Sequence, residues 1–295
     1  MSKTILVTGA TGQVGGAVAK QLLTHGFNVR AFTFIGSMER EFEKRKQLQQ
    51  LGAEIFDGDM SSESSLIEAM KNVYGVFSVQ PPALPMSEEA DKHEYNLGVN
   101  VANAAKKSGV QQFVYSSVLG SERRAAYRPL FKYQIEEHIW KSDLPATIFK
   151  PSLFMETFCL PFYGLSEAKL NNAAPFDLAM PIISAGDIGV FVRLAFQKPQ
   201  DFIGKSINLA GDNLTISEIA DILTKKFGRQ ITPVQIPLDV AKQQNAIYGK
   251  IMEEYYTQGY AKVDFDELRL LHPELMTFER WTDTKAKEEL QNLIG

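Results

Sequence analysis

Residues 8–16 read Thr8-Gly9-Ala10-Thr11-Gly12-Gln13-Val14-Gly15-Gly16, directly after the apolar run Ile5-Leu6-Val7. Helical spacing of apolar residues continues from 12 to 23. A strand, a glycine turn and a helix start in that order form the unit that cradles a dinucleotide pyrophosphate. Gly9 permits the tight turn, Gly12 lets the backbone approach the pyrophosphate, and Gly15 allows close packing of helix on strand. Thr11, Gln13 and Val14 share the loop and first helical turn, where free N–H groups and the helix dipole favour an anion. The alternative is a tight turn with no ligand.

Outward from this loop, short β-rich runs alternate with helical stretches. Strands are expected at 28–33, 53–56, 75–79, 112–115 and 146–150. Helices are expected at 38–51, 62–71, within 88–107, and at 129–141, where Pro129 suits a first helical position. Such alternation indicates βαβ units, a parallel sheet covered on both faces and a doubly wound α/β (Rossmann) fold. No fixed-period repeat is visible. The rhythm loosens after Lys150. Residues 151–184 and 213–295 are expected to form a smaller, mainly helical C-terminal lobe, and 185–212 to return to the 1–150 domain.

The chain has 295 residues, 44% hydrophobic and 22% charged, with a formal net charge of −4. This is ordinary globular composition. It offers no basic surplus for a phosphate backbone, so direct nucleic-acid binding is disfavoured. The single cysteine, Cys159, fits a reducing compartment, and neither a leader nor a spanning segment is evident. A cytoplasmic protein without membrane contact is expected. The four histidines lack metal-ligand spacing.

TGATGQVG, VRAF, GAEIFDGD, FVYSSV and the Lys132 segment FKYQIEEHI, with LTISEIADIL and MTFERW further on, resemble the short-chain dehydrogenase/reductase superfamily. The chain is most similar to its atypical NmrA-like branch, with isoflavone reductase-like and quinone-reducing members. The resemblance implies NAD(P) binding. It does not imply one activity, because the branch includes reductases and redox-sensing regulators.

The second strand carries no acid at its end to bind a ribose 2′-hydroxyl, which favours NADP, with NAD as the alternative. Arg30 and Thr33 on that strand are expected at the adenosine end. Arg30, or Arg40, Lys44 and Arg45, would supply the charge for a 2′-phosphate. By resemblance, Asp59 and Met60 edge the adenine; the competing reading has Asp59 capping the next helix. Val79, Gln80 and Pro81 wall the crevice after the fourth strand, and Pro151 and Phe154 complete the expected cofactor set. Phe154, Phe158, Phe162 and Tyr163 either line an aromatic pocket or pack a core.

Active members of the superfamily carry a Ser and a Tyr-x-x-x-Lys pair. Here Ser117 fits the first role and Lys132 the last, as ribose ligand. Arg128 stands four residues before Lys132, with Tyr127 one position earlier as the stand-in proton donor. The expectation is an NADPH-dependent reductase of a quinone-like or conjugated carbonyl substrate. The runner-up is a non-catalytic NADP sensor acting through a regulatory protein partner.

Overall fold

Ile5, Leu6 and Val7 are completely inaccessible to solvent, as expected of a central strand in a sheet covered on both faces. The computed structural model describes residues 2–34, 36, 41–82, 84–284 and 286–295. The elements alternate as β1 (Thr4–Thr8), α1 (Gln13–Thr24), β2 (Asn28–Phe34), α2 (Phe42–Gln50), β3 (Glu54–Gly58), α3 (Glu63–Ala69), β4 (Gly75–Ser78), α4 (Glu88–Lys107), β5 (Gln112–Ser116), α5 (Lys132–Lys141) and β6 (Ala146–Pro151). Then follow β7 (Leu153–Phe154), β8 (Lys169–Asn172), β9 (Met180–Ile183), α6 (Ala185–Gln197), α7 (Pro199–Phe202), β10 (Ser206–Leu209), β11 (Asp212–Leu214), α8 (Ile216–Phe227) and β12 (Thr232–Gln235). Five helices close the chain: α9 (Leu238–Gln244), α10 (Ala246–Gln258), α11 (Phe265–Leu271), α12 (Phe278–Asp283) and α13 (Lys287–Ile294).

The main sheet has the order β10-β6-β5-β4-β1-β2-β3. β1 pairs in parallel with both β2 and β4, so the strand order reverses at the glycine loop, where α/β sheets open a ligand crevice. One face packs Leu6, Phe32, Val76, Phe113 and Ile148 against Leu66, Leu97, Val101, Ile135 and Ile139 of α3, α4 and α5. On α6, a Cβ at Gly189 would lie 2.8 Å from the Ala17 carbonyl oxygen of α1, so these two helices approach closely. Ser62 and Ser87 cap α3 and α4 by accepting the N–H groups of Ser65 and Ala90, which satisfies donors that a helix start leaves open.

The chain divides into two units. The first comprises Met1–Lys150 and Ile188–Ile207, the second Pro151–Asp187 and Asn208–Gly295. The second has its own core, built around Met155, Phe158, Leu170, Ile182, Leu223, Phe278 and Trp281. It contains a three-stranded sheet of order β11-β9-β7 and a two-stranded β12-β8 pair. The strands after Lys150 are short, two to four residues each, and fall where the apolar rhythm of the sequence loosens. Thr215 and Glu218 form a reciprocal capping box at the start of α8. No helix among the described residues is long and apolar enough to cross a membrane.

Candidate functional site

The glycine loop is set by close backbone approaches. Gly9 has φ +58°, and a Cβ there would sit 3.1 Å from the Val79 side chain. Gly15 is the tightest position: its Cβ would lie 2.1 Å from the Gly9 carbonyl oxygen. Only a residue without a side chain lets α1 start this close to β1. The Thr8 hydroxyl donates to the Val79 carbonyl and accepts the Val79 N–H, both at 2.8 Å, which locks the ends of β1 and β4 together. Gly12 is exposed and extended at the N-cap of α1, with no side-chain cap and no acid in the first turn. The first turn of α1 therefore presents backbone N–H groups and positive dipole with no built-in anion. Val14 is buried and could offer only its backbone, while Gln13 is exposed.

At the end of β2 the side chains are engaged with one another. The Thr33 hydroxyl donates to Asp57 of β3 at 2.9 Å. Arg45 of α2 pairs with Asp57 at 2.5 Å and also donates to Thr33. Thr11 of the glycine loop donates its hydroxyl to the Glu41 carboxylate, which precedes α2. Arg30 lies earlier on β2 and is committed elsewhere, to Glu54 at 2.9 Å and to the carbonyls of Ala69 and Lys71. These contacts tie β2 to β3 and to the end of α3. Lys44 is exposed; Arg40 and the 38–40 part of the expected helix lie outside the described residues.

At the expected adenine edge, Met60 is buried in the core with Phe32 and Leu66. Asp59 accepts the Ser61 N–H at 2.7 Å, while Ser62 caps α3. Gln80 is buried and donates to the Ser78 hydroxyl at 2.9 Å, and Pro81 is exposed.

The expected proton relay is rearranged. α5 begins at Lys132, so Pro129 is not its first residue, and both Tyr127 and Arg128 precede the helix. Arg128 is buried and held bidentately by Asp91 of α4, its guanidinium 3.4 Å from the Phe131 ring centroid. Lys132 lies 2.5 Å from Glu94, also on α4 and almost wholly buried. Asp91 and Glu94 stand three residues apart, hence on one face of α4. That acidic pair was not readable in the sequence, because only the packing of α4 brings Asp91 and Glu94 to Arg128 and Lys132. Tyr115 is completely buried; desolvation, then Glu94 and Glu136, hold its phenol well above the ordinary range.

Ser117 ends up in a different cluster. Its hydroxyl donates to the buried Glu136 of α5, which also accepts from Ser121 at 2.6 Å. Lys150, at the end of β6, lies 2.8 Å from Glu136 and 3.2 Å from Glu122. Burial opposes the Lys150 charge, but the two carboxylates outweigh it and raise its pKa.

The NmrA-like family matches this chain over residues 1–282. The chain belongs to the NmrA-like family. An NmrA-like family domain-containing protein of Dictyostelium discoideum is 29% identical over 249 residues, 79% of this chain and 80% of that one. The NmrA-like family domain-containing oxidoreductase hkm9 of Aspergillus hancockii is 29% identical over 242 residues, 74% and 70% of the two chains. Among solved structures, the negative transcriptional regulator NmrA in complex with NAD superposes with a TM-score of 0.81 at 20% identity, over 99% of this chain and 98% of that one. The same regulator in complex with NADP gives 0.78, again at 20% identity over 99% and 98%. The triphenylmethane reductase of Citrobacter sp. complexed with NADP(H) gives 0.77 at 19%, over 99% and 100%.

Pro151 and Phe154 of this NmrA-like chain fall in its second unit. Phe158 is completely buried there, edge-on to Tyr163 at 4.9 Å and Phe278 at 5.5 Å, so it packs a core and lines no pocket. Phe162 is exposed, edge-on to Tyr248. Burial, aided by Glu289 and Glu156, pushes the Cys159 thiol up to about 12, which removes it as a nucleophile at neutral pH. No group of three metal-ligating side chains occurs among the described residues.

Proposed function

We propose that this NmrA-like chain binds a nicotinamide dinucleotide and reduces a quinone-like or conjugated carbonyl substrate with it. The observation that carries the reading is the uncapped start of α1, brought within Cβ-forbidding distance of β1 by Gly15. Gly12 would let the pyrophosphate approach, the N–H groups of Gln13 and Val14 would receive it, and Val79 and Gln80 would border the crevice. The dinucleotide supplies a hydride when bound.

Every other requirement falls to the chain or to solvent. Arg128 cannot serve as proton donor, because a guanidinium does not release its proton in proteins and this one is held by Asp91. Lys132 is drawn to Glu94, and the Tyr115 phenol is sealed in the core. A substrate that takes its proton from water fits these conditions, and a quinone does. Ordinary alcohol–ketone interconversion would need a proton relay beside the reacting carbon, a role for which Tyr127, ahead of α5, is the candidate.

The same engaged cations favour a second reading, a sensor that binds dinucleotide without turnover. The NADP expectation belongs here too: its named cation Arg30 is committed elsewhere and Arg45 is paired with Asp57, so the choice of dinucleotide rests on other residues. Calorimetry with NAD(H) and NADP(H), followed by NADH and NADPH oxidation across a quinone panel, tests the proposal. Saturable turnover is expected. Tight binding with no turnover across the panel would replace the reductase by the sensor, and no binding of any form would remove both.

A further inference from the structure

Glu136 of α5 is almost wholly buried, and three side chains converge on it. Ser117 and Ser121 donate their hydroxyls to its Oε1, and the Lys150 ammonium lies 2.8 Å from its Oε2. A carboxylate only accepts hydrogen bonds and an ammonium only donates them. A serine hydroxyl has a single proton, so Ser117, having given its own to Glu136, has only lone pairs left to offer. Turning that proton outward would take a hydrogen bond from a buried carboxylate, which is costly. Ser117 is thus held as an acceptor.

Its place in the sheet gives that polarity a use. The Ser117 N–H donates to the Phe149 carbonyl of β6 at 2.8 Å, so the residue stands at the carboxyl edge, directly after β5. Next across the edge is β4, with Ser78 opposite Tyr115, and then β1, whose Thr8 is locked to Val79. β5 lies two strand spacings, about 10 Å, from β1. A dinucleotide lying across the reversal of strand order sends its adenosine half over β2 and its nicotinamide half over β4 and β5. The hydride acceptor belongs beside that second half.

We propose that Ser117, oriented by Glu136, recognises the hydroxyl of a hydroxyaromatic ligand, the reduced form of a quinone; the proposal rests on the reductase reading of the crevice. Ser117 offers no proton to a quinone oxygen before hydride transfer and gains a hydrogen bond once that oxygen carries a proton from water. Glu136 does not touch the ligand and acts through Ser117 as a positioning residue.

Calorimetric titration of the full chain, saturated with NAD⁺ and separately with NADP⁺, tests it, with hydroquinone and its dimethyl ether as the probes. The ether keeps the ring and both oxygens but has no proton to give. The wild type should bind hydroquinone at least about tenfold more tightly, the scale of one hydrogen bond. Ser117→Ala should erase that difference by weakening hydroquinone, with dinucleotide affinity changed less than about threefold. In Glu136→Gln, Lys150 takes the amide oxygen, because it can only donate, and the amide NH2 turns to the serines. Ser121 has Glu122 at 3.3 Å as another acceptor, and Ser117 is left to point its proton outward. The ether should then bind about tenfold more tightly, while hydroquinone, whose oxygens also accept, changes less. A merely structural loss would not tighten any ligand, and adding Ser117→Ala should cancel the gain. Circular dichroism melts check folding; if Glu136→Gln does not fold, Ser117→Ala decides alone. No preference for hydroquinone in the wild type, an unchanged preference in folded Ser117→Ala, or a weakened dinucleotide in place of a weakened hydroquinone would overturn the proposal. Where quinone turnover is present, those outcomes leave the reductase reading standing; no turnover together with binding of neither probe would remove both.

Discussion

Gly12 and Gly15 lie three residues apart, and the packing around them asks different things of each. A Cβ at Gly15 meets backbone at 2.1 Å, whereas at Gly12 it meets only the Gly9 carbonyl oxygen, at 3.1 Å. Gly15→Ala should therefore lower stability by about 2–3 kcal/mol, the usual scale for overpacking a rigid site, seen as an earlier urea midpoint. Gly12→Val should leave the midpoint nearly in place and abolish dinucleotide binding by calorimetry. Wild-type affinity in Gly12→Val would remove the pyrophosphate assignment. Lys132 makes a second contrast. Lys132→Met strands the buried Glu94 carboxylate and should cost about 3 kcal/mol, the low end for removing one partner of a buried pair. Adding Glu94→Gln should recover much of that loss, because the two changes act on one interaction. A Lys132→Met chain of unchanged stability but weakened dinucleotide binding would return the lysine to the ribose role expected from its sequence position. The glycines were legible because their demand is local. The partner of Lys132 was not, because Glu94 lies 38 residues earlier and only the packing of α4 on α5 brings the two together.

Among the elements, β6 and α5 are joined by Lys150, which reaches Glu136 of the helix and Glu122 of the preceding turn. The pKa of Lys150 is raised above its ordinary 10.5 despite the opposing effect of burial. Its contribution to stability is thus complete below about pH 10 and is lost as pH rises through the raised value. Burial raises the Glu122 carboxyl, but its own backbone hydrogen bond and Lys150 outweigh that and hold it below its ordinary 4.5. Its contribution is present above that value and is lost as pH falls through the lowered one. Denaturant midpoints measured from pH 9 to 11.5 should fall along the alkaline limb, and Lys150→Met should flatten that limb. A limb of unchanged slope in the variant would show that other groups govern it. The alternation of the first six strands with helices was readable, because the central strands of a sheet covered on both faces, such as β1 and β4, are dense apolar runs. The start of α5 was misplaced at Pro129, since a proline suited to a first helical position signals a start without requiring one.

For the whole molecule, a ligand that binds only the folded chain adds stability by mass action. NAD⁺ at one hundred times its dissociation constant should contribute about 2.7 kcal/mol and raise the melting temperature in proportion to the logarithm of its concentration. A melting temperature indifferent to NAD⁺ and NADP⁺ up to millimolar levels would argue against a dinucleotide site. The order β10-β6-β5-β4-β1-β2-β3 places the reversal of strand order beside the glycine loop. The loop is thus both the strongest local motif and the mouth of the sheet's natural crevice.

What the sequence determined by itself was the doubly wound sheet, the glycine loop at its centre and the family resemblance. Each depends on periodicity or on residues within one short stretch, where chain connectivity supplies the geometry. Tertiary structure alone decided which charges meet. Arg30 found Glu54, Arg45 found Asp57, Arg128 found Asp91 and Lys132 found Glu94. A cation named from its place in the chain is a candidate for a phosphate or a ribose only until the fold brings a carboxylate to it. These carboxylates are 12 to 38 residues away along the chain, and nothing in the spacing of either partner encodes the packing that joins them.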